Sequence, residues 1–151
     1  MPQFLLERTE DAKDLPIPAR QTAQAAGLDL YAKVSDTIVI KKGEYVLIPV
    51  GIKIALPFGY EAQIRSRSGL ALKYGVVVLN SPGTVDSDYR GEVKVLLINH
   101  GSADFTFGRG DRIAQLVIAK VEMIDFIETE KLPETERGEG GYGSTGGYLN
   151  D

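Results

Sequence analysis

The chain contains no cysteine and a single histidine in 151 residues. The first absence removes disulfides, thiolate nucleophiles and thiolate metal sites together. With His100 alone, His-based triads and His-rich zinc centres are also set aside. Carboxylates, arginines, hydroxyls and backbone amides remain for any chemistry. An excess of positive charge is missing too, the net charge being −4, so no nucleic-acid partner is expected. No stretch approaches a bilayer-spanning length and no basic region precedes an apolar leader, so the expectation is a cytoplasmic protein with no membrane partner. A hydrophobic content of 43% is enough for one domain with a real core.

What is present reads as short strands punctuated by Gly and Pro. Phe4-Leu5-Leu6 suggests a first strand, and residues 8–25, with Pro16 and Pro18, an extended loop. Further strands are expected at Ala26–Ala32, Ile38–Ile40, Glu44–Val50, Ile52–Leu56, Tyr60–Arg65, Val76–Leu79, Glu92–Asn99, Asp104–Phe107, Ile113–Ile118 and Met123–Ile127. Helical periodicity is nearly absent, which indicates an all-β sandwich or barrel. The exception is Ser68 to Gly75, read as one short helix with Ser68 as N-cap and Gly75 as C-terminal stop.

The centre of the chain is Gly83-Thr84-Val85-Asp86-Ser87-Asp88-Tyr89-Arg90-Gly91-Glu92-Val93, entered through the turn-forming Asn80-Ser81-Pro82-Gly83. A hairpin here would hold two acids, a tyrosine and an arginine between buried strands. On its own an Asp-Ser-Asp turn is solvated surface more often than a catalytic one. The helix N-terminus places free N–H groups beside Arg65, Arg67, Ser66 and Ser68, a donor density that favours an anion. Gln115 interrupts an apolar strand and must find a partner if buried. Residues 137–147 hold six of the 17 glycines; they suit a flap over an anionic, aromatic ligand or a plain glycine-rich terminus. The G-x-G-x-x-G within them, Gly138–Gly143, has no helix to follow it and is not a dinucleotide fingerprint.

Five segments in order, Ala26–Ala32, Arg67–Ala71, Gly83–Val93, Gly110–Val117 and Arg137–Gly147, resemble the trimeric dUTP diphosphatase (dUTPase) family. Departures are small: Ser66 and Lys120 both stand where proline is frequent, and Tyr142 where phenylalanine is more usual. The resemblance implies a jelly-roll-like β-sandwich over 1–132, with one short helix and a flexible glycine-rich arm over 133–151. It implies hydrolysis of dUTP to dUMP and pyrophosphate with Mg²⁺, which keeps uracil out of DNA and supplies dUMP for thymidylate synthesis. It also implies a homotrimer with sites shared between subunits. Asp86 would orient and deprotonate the water, Tyr89 would lie under the deoxyribose, and Asn80 would read the uracil edge. Arg67, Ser68, Gly69 and Gln115 would meet the phosphates, and Asp29 the metal's water shell. Arg137, Gly141, Gly143, Ser144 and Thr145 would close over the substrate while Tyr142 stacks on the base.

The chemistry agrees with these residue types. Attack at phosphorus needs positioning, charge neutralisation and one base. Mg²⁺ prefers oxygen ligands and keeps its waters. A site matched to uracil's N3–H donor and O4 acceptor leaves polar groups unpaired against cytosine. A dCTP deaminase, related in fold, is the nearest rival, although the zinc-deaminase pattern is absent. A catalytically silent nucleotide-binding trimer is the rival from another class.

Overall fold

In a computed structural model the structure describes residues 3–141. These form β1 (Leu5–Arg8), a 3₁₀ turn (Glu10–Ala12), β2 (Leu28–Tyr31), β3 (Ile38–Ile40), β4 (Tyr45–Pro49), β5 (Ile52–Ala55) and β6 (Tyr60–Arg65). The helix α1 (Ser68–Tyr74) follows, then β7 (Val76–Val78), β8 (Gly83–Val85), β9 (Lys94–Asn99), β10 (Phe105–Phe107) and β11 (Arg112–Lys120). The fold is the expected jelly-roll-like β-sandwich. One sheet has the order β2-β11-β6-β8 and another β4-β9-β7, with the pairs β1-β5 and β3-β10 beside them. Every pairing is antiparallel.

Alternation explains the layering. In β9, Val95 and Leu97 are buried while Lys94 is exposed; in β6, Ala62 and Ile64 point inward and Arg65 outward. Leu30, Ile64 and Leu116 from one sheet meet Ile48, Val78 and Leu97 from the other in one core. Each such side chain contributes about 1.5–3 kcal/mol by leaving water. Asn99 is the fully buried polar residue of this core. Its amide donates to the Ile40 and Ala103 carbonyls at 2.9 Å each, and its Oδ1 accepts the Gly101 N–H at 2.8 Å. All its polar atoms are thus matched, as a buried amide requires.

The helix ends as expected but starts one residue earlier in its cap. Arg67, not Ser68, is the N-cap; its backbone is extended and no side chain caps the turn. Gly75 closes the helix at φ 66°, donating to Ala71 and Leu70 carbonyls, and its α-carbon lies so near residue 101 that a Cβ would stand 2.6 Å from the Gly101 nitrogen.

Two expectations are corrected. The central segment is not a hairpin: β8 pairs with β6, whereas β9 pairs with β4 and β7. Residues 86–93 therefore cross from one sheet to the other, with Val85 and Val93 buried at either end. Nor do Met123–Ile127 form a strand. The Val121 N–H bonds the Gly59 carbonyl, and after it no ladder partner exists among the described residues. A strand needs a neighbour, and here Phe126 and Ile127 are 93% and 90% exposed.

Candidate active site

The residues expected to carry the chemistry fall into two groups that lie apart. The first surrounds Asp29 on β2. Its carboxylate, 8% exposed, takes the Arg67 Nε on one oxygen and the Arg112 Nη1 on the other, each at 3.2 Å. Arg67 Nη1 also donates to the Arg112 carbonyl at 3.0 Å. Gln115 Nε2 donates to the Ser66 carbonyl at 2.9 Å, and Ser66 Oγ accepts the Val78 N–H at 2.8 Å. The hydroxyl at position 66 thus makes a bond that proline could not. Ser68 and Gly69 are exposed beside this cluster at the start of α1.

A β-bulge builds the group. Opposite β2, Arg112 pairs with Tyr31 but Ala114 with Leu30 and Gln115 with Asp29, so Ile113 is an extra residue. Ile113 and Ala114 are both buried as a result, and Arg112 and Gln115 emerge on the same face although an odd number of residues apart. Gln115 is further fixed by Gly27, where a Cβ would stand 3.1 Å from Gln115 Cδ and closer still to its Oε1.

The second group lines a hollow of about 190 Å³ that contains Asn80, Gly83, Asp86, Tyr89 and Glu92 over Ile64. Asp86 and Thr84 also border an open groove of about 800 Å³. Asp88 borders only that groove. Among the described residues the Asp86 carboxylate has no hydrogen-bond or ion-pair partner. The Tyr89 N–H donates to the Asp86 carbonyl at 3.2 Å, so the Asp86 carboxylate and the Tyr89 ring share one tight turn. Tyr89 Oη donates to the Glu92 carbonyl at 3.1 Å.

Glu92 ties this turn to the body of the domain. Its Oε1 accepts the Gly51 N–H at 2.9 Å and meets Lys33 Nζ at 2.9 Å; Lys33 also pairs with Asp11 at 3.0 Å. Burial works to lower the Lys33 pKa, but bonds to Glu92 and Asp11 outweigh it and hold the ammonium above its usual range. Asp11 is held below the usual carboxylate range by the Thr9 hydroxyl and by Lys33.

Strand register separates the groups. Gln115 sits opposite Arg65 on one side of β6, and Val85 opposite Ala62 on the other. Three residues along and two strands across amount to about 14 Å between them. Asp86 continues away from Arg65, which widens the gap. Gln115 and Asp86 of one chain therefore stand well apart.

Of the remaining expected site residues, Arg137 is exposed, its Nε donating to the Gly140 carbonyl at 2.7 Å, and Gly141 is half-buried. Tyr142, Gly143, Ser144 and Thr145 lie outside the described residues. Residue patterning missed Arg112, Gly27, Gly91, Glu92 and Lys33. The consecutive buried Ile113-Ala114 was the available sign of the bulge that places Arg112. The Lys33–Glu92 pairing, far apart in sequence, left no local sign.

No group of three His, Cys, Asp or Glu able to hold a metal occurs among the described residues. Both Asp29 oxygens already face guanidiniums. This donor set fits Mg²⁺ delivered on a polyphosphate and keeping its waters, not a protein-built cage.

A sequence model of the dUTPase family matches residues 13–146. A deoxyuridine 5'-triphosphate nucleotidohydrolase of Caldanaerobacter subterraneus subsp. tengcongensis is 59% identical over 93% of this chain and 95% of its own length. Its counterpart from Orientia tsutsugamushi is 58% identical over 86% and 88%. In fold, the chain is similar to the dUTPase of Staphylococcus bacteriophage 80alpha, a G164S mutant solved with dUpNHpp. The TM-score is 0.85 at 23% identity, covering 97% of this chain and 99% of that one. The chain belongs to the dUTPase family.

Proposed function

We propose that the chain hydrolyses dUTP to dUMP and pyrophosphate, with water attacking the α-phosphorus and Asp86 as its base. The observation that carries this is the free Asp86 carboxylate at the edge of the hollow that holds Asn80 and Tyr89. Asn80 reads the uracil edge and the Tyr89 ring floors the deoxyribose. Asp86 takes one proton from water as its oxygen bonds to the α-phosphorus, and the bond to the bridging oxygen of pyrophosphate breaks. Arg67, Ser68, Gly69 and Gln115 bind the phosphates, fixed beforehand by Asp29, Arg112, Gly27 and the Ser66 carbonyl. Such fixed donors cost no reorganisation during reaction. Mg²⁺ would supply charge neutralisation on the phosphates, with Asp29, beside Arg67 and Arg112, near its water shell.

The gap of about 14 Å supports sites completed by neighbouring subunits of a homotrimer, one chain giving the phosphate donors and another the hollow. Exposed Phe126 and Ile127, and the outward Tyr45 and Leu47 of β4, supply apolar surface for assembly. Arg137, Gly141, Tyr142, Gly143, Ser144 and Thr145 act in the arm, 133–151, that closes over a site built on the 1–132 sandwich. Among the described residues no helix is long and apolar enough to cross a membrane, and we place the enzyme in the cytoplasm, with no nucleic-acid or membrane partner.

Incubation with dUTP, UTP and dCTP in ¹⁸O-water tests the reading. Pyrophosphate from dUTP, with label in dUMP, is expected. Ammonia from dCTP would identify a deaminase, binding without turnover a silent scaffold, and label in pyrophosphate an attack at the β-phosphorus.

A further inference from the structure

Tyr89 does not hold its position through its own backbone alone. Its ring folds back over residue 91, where only glycine leaves room. A Cβ on Gly91 would stand 2.5 Å from Tyr89 Cζ and 2.9 Å from Cε2, and closer still to Oη. All three of the nearest atoms belong to the Tyr89 side chain. The ring's far end is then held by the Glu92 carbonyl, and Glu92 is itself held by the Gly51 amide and the Lys33 ammonium. Lys33 is 13% exposed in its side chain, so this anchor is largely sheltered from water.

We propose that Gly91 and Glu92 are positioning residues for sugar selection, setting the height at which the Tyr89 ring lies in the hollow. Gly91 provides the clearance and Glu92 the stop. The inference rests on the reading of Tyr89 as the floor of the sugar. Tyr89 is 44% exposed, so its side chain borders solvent. An added methyl at position 91 therefore displaces the ring at little cost to the fold. A 2′-hydroxyl is excluded only while the ring stays where it is, so its displacement admits UTP.

The test is a double-mutant cycle on the full-length enzyme, reading kcat/KM for dUTP and UTP together with melting temperature. Gly91→Ala should lower the dUTP:UTP ratio by about tenfold to a hundredfold, the scale of an ångström-level misplacement. Melting should shift little. In the Tyr89→Ala background the same change should have almost no further effect on the ratio, because the atoms it meets are gone. Glu92→Gln, which keeps an acceptor for the Gly51 amide but not the charge facing Lys33, should lower the ratio by about threefold, the size of a weakened hydrogen bond. Should Gly91→Ala fail to fold, Tyr89→Phe takes its place. It removes the bond to the Glu92 carbonyl and should lower the ratio without changing the melt. An unchanged ratio in Gly91→Ala, or an effect equally large with and without the Tyr89 ring, would overturn the proposal. If Tyr89→Ala alone leaves the ratio intact, the sugar is read elsewhere and the proposal falls with that assignment, while dUTP hydrolysis through Asp86 stands.

Discussion

The cluster around Asp29 and the hollow around Asp86 are built in opposite ways. In the cluster, one nearly buried carboxylate engages two guanidiniums, and Gln115 is bonded to a main-chain carbonyl. In the hollow, the Asp86 carboxylate is exposed and unpartnered among the described residues, while the turn beneath it is anchored through Glu92. Groups that bind a polyanion act by being in place beforehand, so mutual bonds suit them. A base must keep a lone pair for a proton, so a free carboxylate on a fixed turn is what the role proposed for Asp86 requires.

Breaking the free side of this comparison should have the largest effect. Asp86→Asn should reduce kcat by about 10²–10⁴-fold or more while leaving the affinity for a non-hydrolysable dUTP analogue near wild type, measured by calorimetry. Asp88→Asn, whose side chain borders only the outer groove, should keep most of the rate.

Removal of residues 136–151 comes next. Turnover should fall by about two orders of magnitude or more if closure aligns the reacting atoms. The melting temperature should hardly change, because among the described residues the hydrogen bonds of 136–141 run within the arm and not to the sandwich.

On the bound side, Asp29→Ala leaves Arg67 and Arg112 facing each other without a counter-charge. The arginines are 28% and 46% exposed in their side chains, so solvent absorbs part of the loss. A destabilisation of about 1–3 kcal/mol is expected, with KM rising more than kcat falls. Gly27→Ala is gentler. It pushes the Gln115 amide from the Ser66 carbonyl, a loss of about 1 kcal/mol, or roughly fivefold in KM.

The smallest effect concerns pH. Asp11 and Asp14 are both held below their ordinary value of 3.8, Asp11 by Thr9 and Lys33 and Asp14 by Arg109. A carboxyl depressed in the folded state stabilises above its unfolded pKa, and that contribution is lost as pH falls through the folded one. Melting temperature should therefore drop slightly below pH 3.8, and less steeply in Asp14→Asn. Both carboxylates are exposed, 69% and 62% in their side chains, which keeps the effect small.

Much of this was legible in the residues because it is local. Alternation at Ile52–Ala55 and the Gly75 stop announce themselves within a few positions, and so do the acids of Gly83–Val93. Pairing is not local. The stretch Val76–Asn99 looks like a hairpin because two apolar runs flank a turn, yet β8 finds β6 and β9 finds β4 and β7. Met123–Ile127 has a strand's composition but no neighbour among the described residues of its own chain. Ser68 has a capping side chain, but Arg67 holds the extended backbone that a cap requires. The clearances at Gly27 and Gly91 are set by side chains that arrive from elsewhere or fold back, which composition does not reveal.

The claim that the two regions meet only between chains can be measured directly. Asp86→Asn and Arg67→Ala proteins, each nearly inactive alone, are mixed under conditions where native mass spectrometry shows subunit exchange, and dUTP turnover is followed. If one chain supplies the arginine and another the base, mixed assemblies contain sites with both intact, and activity returns. If exchange is complete and turnover stays at the level of the separate proteins, each site is built from a single chain and the account is contradicted.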